Sequence, residues 1–144
     1  KPTNAYFGRK DAQQFLIVKK AVYDLNFGIN IVPCPIKRED DGLAISSRNV
    51  YLSEEERKAA PILHKALEKG RAAIKKGMKA EDLIKIIVDE IKTEKLSDIE
   101  YVQVVDTEEI KDVDLIDGDV LVALAVRFGK TRLIDNFFYE VWDV

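Results

Sequence analysis

Lys10-Asp11-Ala12-Gln13-Gln14-Phe15-Leu16-Ile17-Val18-Lys19-Lys20-Ala21-Val22-Tyr23-Asp24-Leu25-Asn26, then Phe27-Gly28 and Ile29-Asn30-Ile31-Val32, is the stretch on which the fold class turns. Phe15, Val18, Val22 and Leu25 recur at three- and four-residue intervals, which lines one face of a helix and predicts that helix over about Lys10–Asn26. Asn26-Phe27-Gly28 supplies a stop, with glycine available for a left-handed cap. Ile29–Val32 is a short run rich in β-branched residues, read as a buried strand that Pro33 and Pro35 end. A helix feeding such a strand is half of an α/β unit. Upstream, Ala5-Tyr6-Phe7-Gly8 opens a turn into the helix.

The start of that helix carries candidate chemistry. If Gly8 ends a strand or loop, Lys10, Asp11 and Gln14 cluster at the first turn, where unpaired backbone N–H groups and the helix dipole favour an anion. Lys10 suits phosphate, Asp11 a ribose diol, and the Gln14 amide a neutral or carboxylate group. The same residues also make a routine helix start with solvated polar side chains. A second stretch, Gly42-Leu43-Ala44-Ile45-Ser46-Ser47-Arg48-Asn49, places two hydroxyls and a guanidinium fork behind a flexible residue, a pattern that grips phosphate oxygens. Taken alone it also reads as an ordinary polar loop.

Composition bounds what these stretches belong to. The chain has 144 residues, 47% of them hydrophobic, enough for one core or for one small domain and part of another. Its longest apolar run, Val120–Val126, is far below the roughly 20 residues of a spanning helix, so no membrane partner is expected. Lys1-Pro2-Thr3-Asn4 lacks the layout of a signal peptide. One cysteine, Cys34, allows no internal disulfide and fits a cytoplasmic setting. Cys34 and the single histidine, His64, lie too far apart to suggest a metal site. Residues 1–48 hold eight basic and five acidic side chains, a net +3, so the rest carries −6 of the total −3. A small basic front on an acidic body suits a compact anion and not a nucleic acid.

Downstream, the pattern is structural. Ser53 and Glu56 form a capping box that starts a helix, and Pro61 breaks or restarts it. Ile62, Leu63, Ala66, Leu67, Ala73 and Ile74 continue a helical stripe to Lys75-Lys76-Gly77, and another helix is expected from Ala80 to about Lys95. His64 falls within the first of these helices as a surface or half-buried residue. Ile99–Val105, Val120–Phe128 and Leu133–Tyr139 read as strands, the last two joined by a hairpin at Gly129-Lys130. Gly129-Lys130-Thr131 is no P-loop, since Leu124 stands where the required glycine would be. The aromatic end, Phe137, Phe138, Tyr139 and Trp142, reads as packing, with Asp135-Asn136 just ahead of it.

Two stretches together carry a family resemblance. Phe7-Gly8-Arg9-Lys10-Asp11-Ala12-Gln13-Gln14 resembles the Phe-Gly-x-Lys-Asp-x-Gln-Gln signature of the pantothenate synthetases (pantoate–β-alanine ligases). Arg38 to Asn49 resembles that family's Arg-x-x-Asp-Gly-Leu-Ala-Met-Ser-Ser-Arg-Asn loop, with Ile45 where methionine or leucine is usual. The likeness runs through the whole chain but covers only the family's C-terminal half. The His-x-Gly-His nucleotide motif is absent, and so are the upstream residues that complete the pantoate pocket.

The resemblance implies α/β plus α+β architecture: residues 1–36 as the C-terminal part of a Rossmann-like ATP- and pantoate-binding domain, and residues 37–144 as a small lid domain of helices on an antiparallel sheet. It implies ATP-dependent joining of pantoate to β-alanine through a pantoyl adenylate, with Mg2+ carried on the ATP, in an enzyme that is generally a homodimer. Carried over by position, Gly8 and Asp11 hold the ribose, Lys10 the phosphates and Gln14 the pantoate. Ser46, Ser47 and Arg48 clamp the triphosphate and stabilise departing pyrophosphate, and the backbone near Lys37 reads the adenine. As a half-length version, the chain is expected to lack full turnover and to be monomeric or weakly associated. The alternatives are a nucleotidyltransferase of related fold and a non-catalytic nucleotide-binding module.

Overall fold

The computed structural model describes residues 1–141, so Trp142 lies outside the described residues. Strand β1 (Asn4–Gly8), helix α1 (Ala12–Asp24) and strand β2 (Asn30–Cys34) form a β-α-β unit whose strands pair in parallel, from Asn4 opposite Asn30 to Gly8 opposite Cys34. The expected turn at Ala5–Gly8 is therefore a strand. Its alternation of exposed and half-buried residues is the period-two signal, but five residues are too few to carry it unaided.

The second strand runs past the expected stop. Pro33 lies inside β2, opposite Phe7. Asn30 N donates to Thr3 O at 2.9 Å, so every second residue faces β1 and the Pro33 nitrogen falls on the outer edge, where no donor is required. Helix α1 is shorter than expected at both ends. Asp11 is its N-cap, and Asn26 takes the left-handed position directly after the C-cap at φ +51°, with Gly28 left-handed two residues later at φ +62°. Phe27 N donates to Val22 O and Asn26 N to Tyr23 O, both at 3.1 Å, which is the Schellman closure.

A 3-10 turn (Ser47–Tyr51) leads into α2 (Glu54–Ala59), α3 (Ile62–Ala73) and α4 (Ala80–Ile91). The capping box is present: Glu56 N donates to Ser53 Oγ at 3.1 Å and Ser53 N to Glu56 Oε1 at 3.0 Å. Pro61 separates α2 from α3, as its ring requires. Helix α4 stops at Ile91 and not near Lys95, because the hydroxyls of Thr93 and Ser97 take up the carbonyls of Glu90 and Ile91.

Strands β3 (Ser97–Asp106), β4 (Val120–Phe128) and β5 (Thr131–Tyr139) form an antiparallel sheet in that order. Phe128 pairs with Thr131 around a two-residue turn in which Gly129 has φ +62°. Central strand β4 is buried on both faces. Val120, Val122, Leu124, Val126 and Phe128 pack under α3 and α4 against Leu63, Leu67, Leu83 and Ile87. Leu121 and Ala123 face the other way and pack with Phe15 and Leu16 of α1. That double burial is why Val120–Val126 reads as an unbroken apolar run. The described chain thus mixes a parallel and an antiparallel sheet with helices, and the β-α-β unit shares a core with the second sheet.

Ser53→Ala removes one half of the capping box and should cost about 1 kcal/mol. Chemical denaturation should show a lower midpoint with an unchanged slope; an unaltered midpoint would mean that α2 does not depend on its cap.

Candidate functional site

Residues 37–45 fold back on themselves before the Ser-Ser-Arg segment begins. Ile45 N donates to Lys37 O at 2.9 Å and Glu39 N to Leu43 O at 2.8 Å, which closes a tight loop around Gly42. Gly42 has φ +94°, and a Cβ there would overlap the His64 ring, so the position demands glycine twice over. His64 is half-buried, as expected, with its Nδ1 enclosed and without a protein partner among the described residues. The Asp41 carboxylate accepts from Arg57 Nη1 at 2.6 Å, and this contact above all holds it below the usual carboxylate range.

Two neighbouring residues of β5 anchor this loop and the start of α1. Asp135, buried to 3% exposure, grips Arg38 with both oxygens, at 2.6 and 2.9 Å from Nη1 and Nη2. Arg38 Nη1 also donates to Gly42 O at 3.0 Å, which ties the loop's own tip into the pair. Asn136, at 4% exposure, donates from Nδ2 to Arg9 O at 2.9 Å and to Lys10 O at 3.1 Å. The third tie is direct: Lys10 Nζ donates to Ile45 O at 3.0 Å.

These contacts bring Lys10, Asp11, Ser46 and Arg48 to one cleft of about 260 Å³, which Arg132, Leu133 and Ile134 complete. An adjoining cleft of about 380 Å³ is lined by Lys10, Asp11, Gln14, Tyr101, Asp135 and Asn136, among others. Gly8, Lys37 and Ser47 line neither. Gly8 ends β1 with open space beside it, Lys37 offers its carbonyl to Ile45, and Ser47 opens the 3-10 turn at the surface. Two larger depressions, one beside Lys79 and Leu115 and one beside Tyr23 and Ile29, contain none of the sequence-derived site residues.

Several side chains of the cleft keep hydrogen-bonding capacity that no protein group takes up. Asp11 is the N-cap of α1 yet its side chain makes no capping bond, so its carboxylate stays available. Ser46 Oγ accepts from Arg48 N at 3.2 Å, leaving its hydroxyl proton free to donate outward. Arg48 stays exposed, and its Nη1 makes one long contact, 3.4 Å, to Arg132 O. Burial pushes the Lys10 ammonium below its ordinary value; Asp11 and Asp135 pull it back up, while Arg48 adds to the lowering. Arg132, Tyr101, Asp135 and Asn136 were not singled out from the sequence. The available signal was the Asp135-Asn136 pair itself, since adjacent strand residues point to opposite faces and both here are buried.

A loop of hydroxyls and guanidinium set beside a lysine at a helix start offers the kinds of donor by which phosphates are commonly held. The family model described as Pantoate-beta-alanine ligase matches residues 1–138, and the chain belongs to that family. Among its relatives, the pantothenate synthetase of Acetivibrio thermocellus is 57% identical over 141 residues, covering 97% of this chain and 50% of the relative. That of Clostridium botulinum strain Loch Maree is 51% identical over the same coverage. The crystal structure of pantothenate synthetase from Thermus thermophilus superimposes with a TM-score of 0.84 at 38% identity, over 96% of this chain and 50% of that one. The ligase from Francisella tularensis, described as complexed with beta-gamma ATP and beta-alanine, gives a TM-score of 0.60 at 28% identity over 94% and 43% of the two chains. The chain therefore spans about half the length of the relatives it matches.

Two outcomes check this geometry. Asp135→Ala leaves Arg38 without its carboxylate and should cost about 3 kcal/mol in thermal or chemical unfolding; a loss under about 1 kcal/mol would show that the pair does not hold the loop. A phosphate placed against Lys10 should raise its depressed pKa. Between the free and bound values, binding then takes up a proton, and affinity falls as pH rises through the free value. Calorimetry of ATP binding at alkaline pH in buffers of different ionisation enthalpy reads that uptake directly, and Lys10→Met should abolish it.

Proposed function

We propose that this chain carries the phosphate-clamping half of an ATP-dependent ligase that condenses pantoate with β-alanine. The observation that carries the reading is the convergence of Lys10, Asp11, Ser46 and Arg48 on one cleft, from segments more than thirty residues apart, in a chain of the Pantoate-beta-alanine ligase family. The Francisella relative's described ligands, beta-gamma ATP and beta-alanine, support the same substrates.

In this reading the pantoate carboxylate attacks the α-phosphorus of ATP. The bond from that phosphorus to the bridging oxygen breaks, and pyrophosphate leaves with the electron pair. The β-alanine amine then attacks the acyl carbon of pantoyl adenylate, AMP departs, and the new amide nitrogen loses its proton. Lys10 offers an ammonium to the phosphates, and Arg48 and Ser46 meet the charge that grows on the leaving group. Ser47, next to Ser46 at the start of the 3-10 turn, is the second hydroxyl that the family loop assigns to the same clamp. Asp11, with Gly8 beside it, accepts from the ribose hydroxyls, Gln14 orients pantoate in the adjoining cleft, and the backbone at Lys37 borders the adenine. Mg2+ enters on the ATP phosphates.

The same reading makes residues 1–36 the end of a Rossmann-like domain and residues 37–144 a lid. Tyr6, Ile17 and Leu25, which are 66, 58 and 63% exposed at β1 and α1, are surfaces that the unmatched half of the relatives would cover. The complete enzyme is then a cytoplasmic homodimer, and the 144-residue chain by itself turns over little or no substrate.

Arg48→Ala, made in the polypeptide at its native length, should lower pantoate-dependent AMP release by about a thousandfold, in line with loss of a transition-state charge donor. Near-normal AMP release would remove Arg48 from the phosphate clamp. A product in which the nucleotide stays attached would instead favour nucleotidyl transfer, and tight ATP binding without turnover would favour a binding module.

A further inference from the structure

A second groove lies beside the phosphate cleft. Arg48 and Arg132, which line the cleft, also line this larger groove of about 900 Å³ between the 3-10 turn and the β4–β5 hairpin. Arg127 and Lys130 add two more cations to that groove, against the single carboxylate of Glu56 in its wall. Glu56 is already engaged, its Oε1 accepting from Ser53 N in the capping box.

Glu100 pairs with two of these cations. It accepts from Arg127 Nε at 2.5 Å and from Arg132 Nε at 2.6 Å, one oxygen to each. Using the Nε atoms in this way fixes both guanidinium planes and leaves the Nη pairs uncommitted to that carboxylate. Counting Glu100 with the wall, four cations face two carboxylates, a local charge of +2 on a chain whose total is −3. Neither Arg48 nor Lys130 takes part in an ion pair among the described residues. Structural pairing thus accounts for half of the four cations and leaves the other two facing the groove.

We infer that this groove is an anion subsite for inorganic diphosphate, with Arg132 and Arg48 as the guanidinium groups shared between it and the phosphate cleft. A polyvalent anion leaving the cleft meets the same two arginines on its other side and gains Arg127 and Lys130 as it moves outward. The identity of the anion rests on the ligase reading, which releases diphosphate; the charge of the groove and the two arginines it shares with the cleft do not.

Calorimetric titration of inorganic pyrophosphate into the protein, without nucleotide, pantoate or β-alanine, tests the subsite. Lys130 is exposed on the hairpin turn, and Lys130→Glu should weaken binding about tenfold, the scale of one reversed charge near a surface. Lys76→Glu makes the same change in net charge at the far end of the sheet, where Gly77 N bonds Ile116 O, and should weaken binding less than about twofold. Arg127→Gln is the second groove variant, and thermal unfolding of each confirms that the fold is kept. The inference is overturned if the native chain binds no pyrophosphate, if Lys130→Glu binds like the native chain, or if Lys130→Glu and Lys76→Glu lose affinity equally. Absence of pantoate-dependent AMP release from the polypeptide at its native length would count against the ligase reading and leave this binding measurement standing.

Discussion

Asp135 and Asn136 are consecutive on an edge strand, so their side chains leave opposite faces of the sheet. One reaches the loop of residues 37–45 through Arg38, and the other reaches the backbone that opens α1 at Arg9 and Lys10. The two segments that supply the candidate site are far apart in the chain, and these residues fix both to the same strand. Because Asp135 and Asn136 are buried and engaged, neither segment can drift without leaving a polar group unsatisfied in the interior. Site geometry here is inherited from strand geometry.

That arrangement has its own support. β4, beside β5, is packed by α3 and α4 on one face and by α1 on the other. A strand held from both sides is a rigid reference, and β5 is in register with it along nine residue pairs. The β-α-β unit therefore buries Phe15 and Leu16 against Leu121 and Ala123 of β4 as well as against Phe7 and Ile31 of its own strands. Packing and polar anchoring point to the same docking geometry, which is the consistency across levels that specifies one structure.

Features whose cause is local were legible in the sequence. The Ser53–Glu56 box, the break at Pro61 and the turn at Gly129-Lys130 each depend on a few adjacent residues, and each stands where the sequence placed it. Features that depend on a partner were not. Strand β1 exists because β2 pairs with it, Pro33 is tolerated because its nitrogen falls on an outer edge, and α4 ends where two hydroxyls capture its carbonyls. For the site, Lys10, Asp11, Ser46 and Arg48 were readable from residue chemistry, and the structure gathers them. Arg132, Asp135 and Asn136 were not, because in a run of strand residues their value lies in what crosses above and below them.

Lys10 takes the carbonyl oxygen of Ile45, and the Ile45 side chain is 47% exposed. The ammonium therefore reads the backbone at that position and is indifferent to what hangs from it. Isoleucine in place of methionine or leucine changes nothing that this hydrogen bond uses. Tolerance to substitution, in this loop, is set by which atom of a residue is used and not by how close the residue lies to the chemistry.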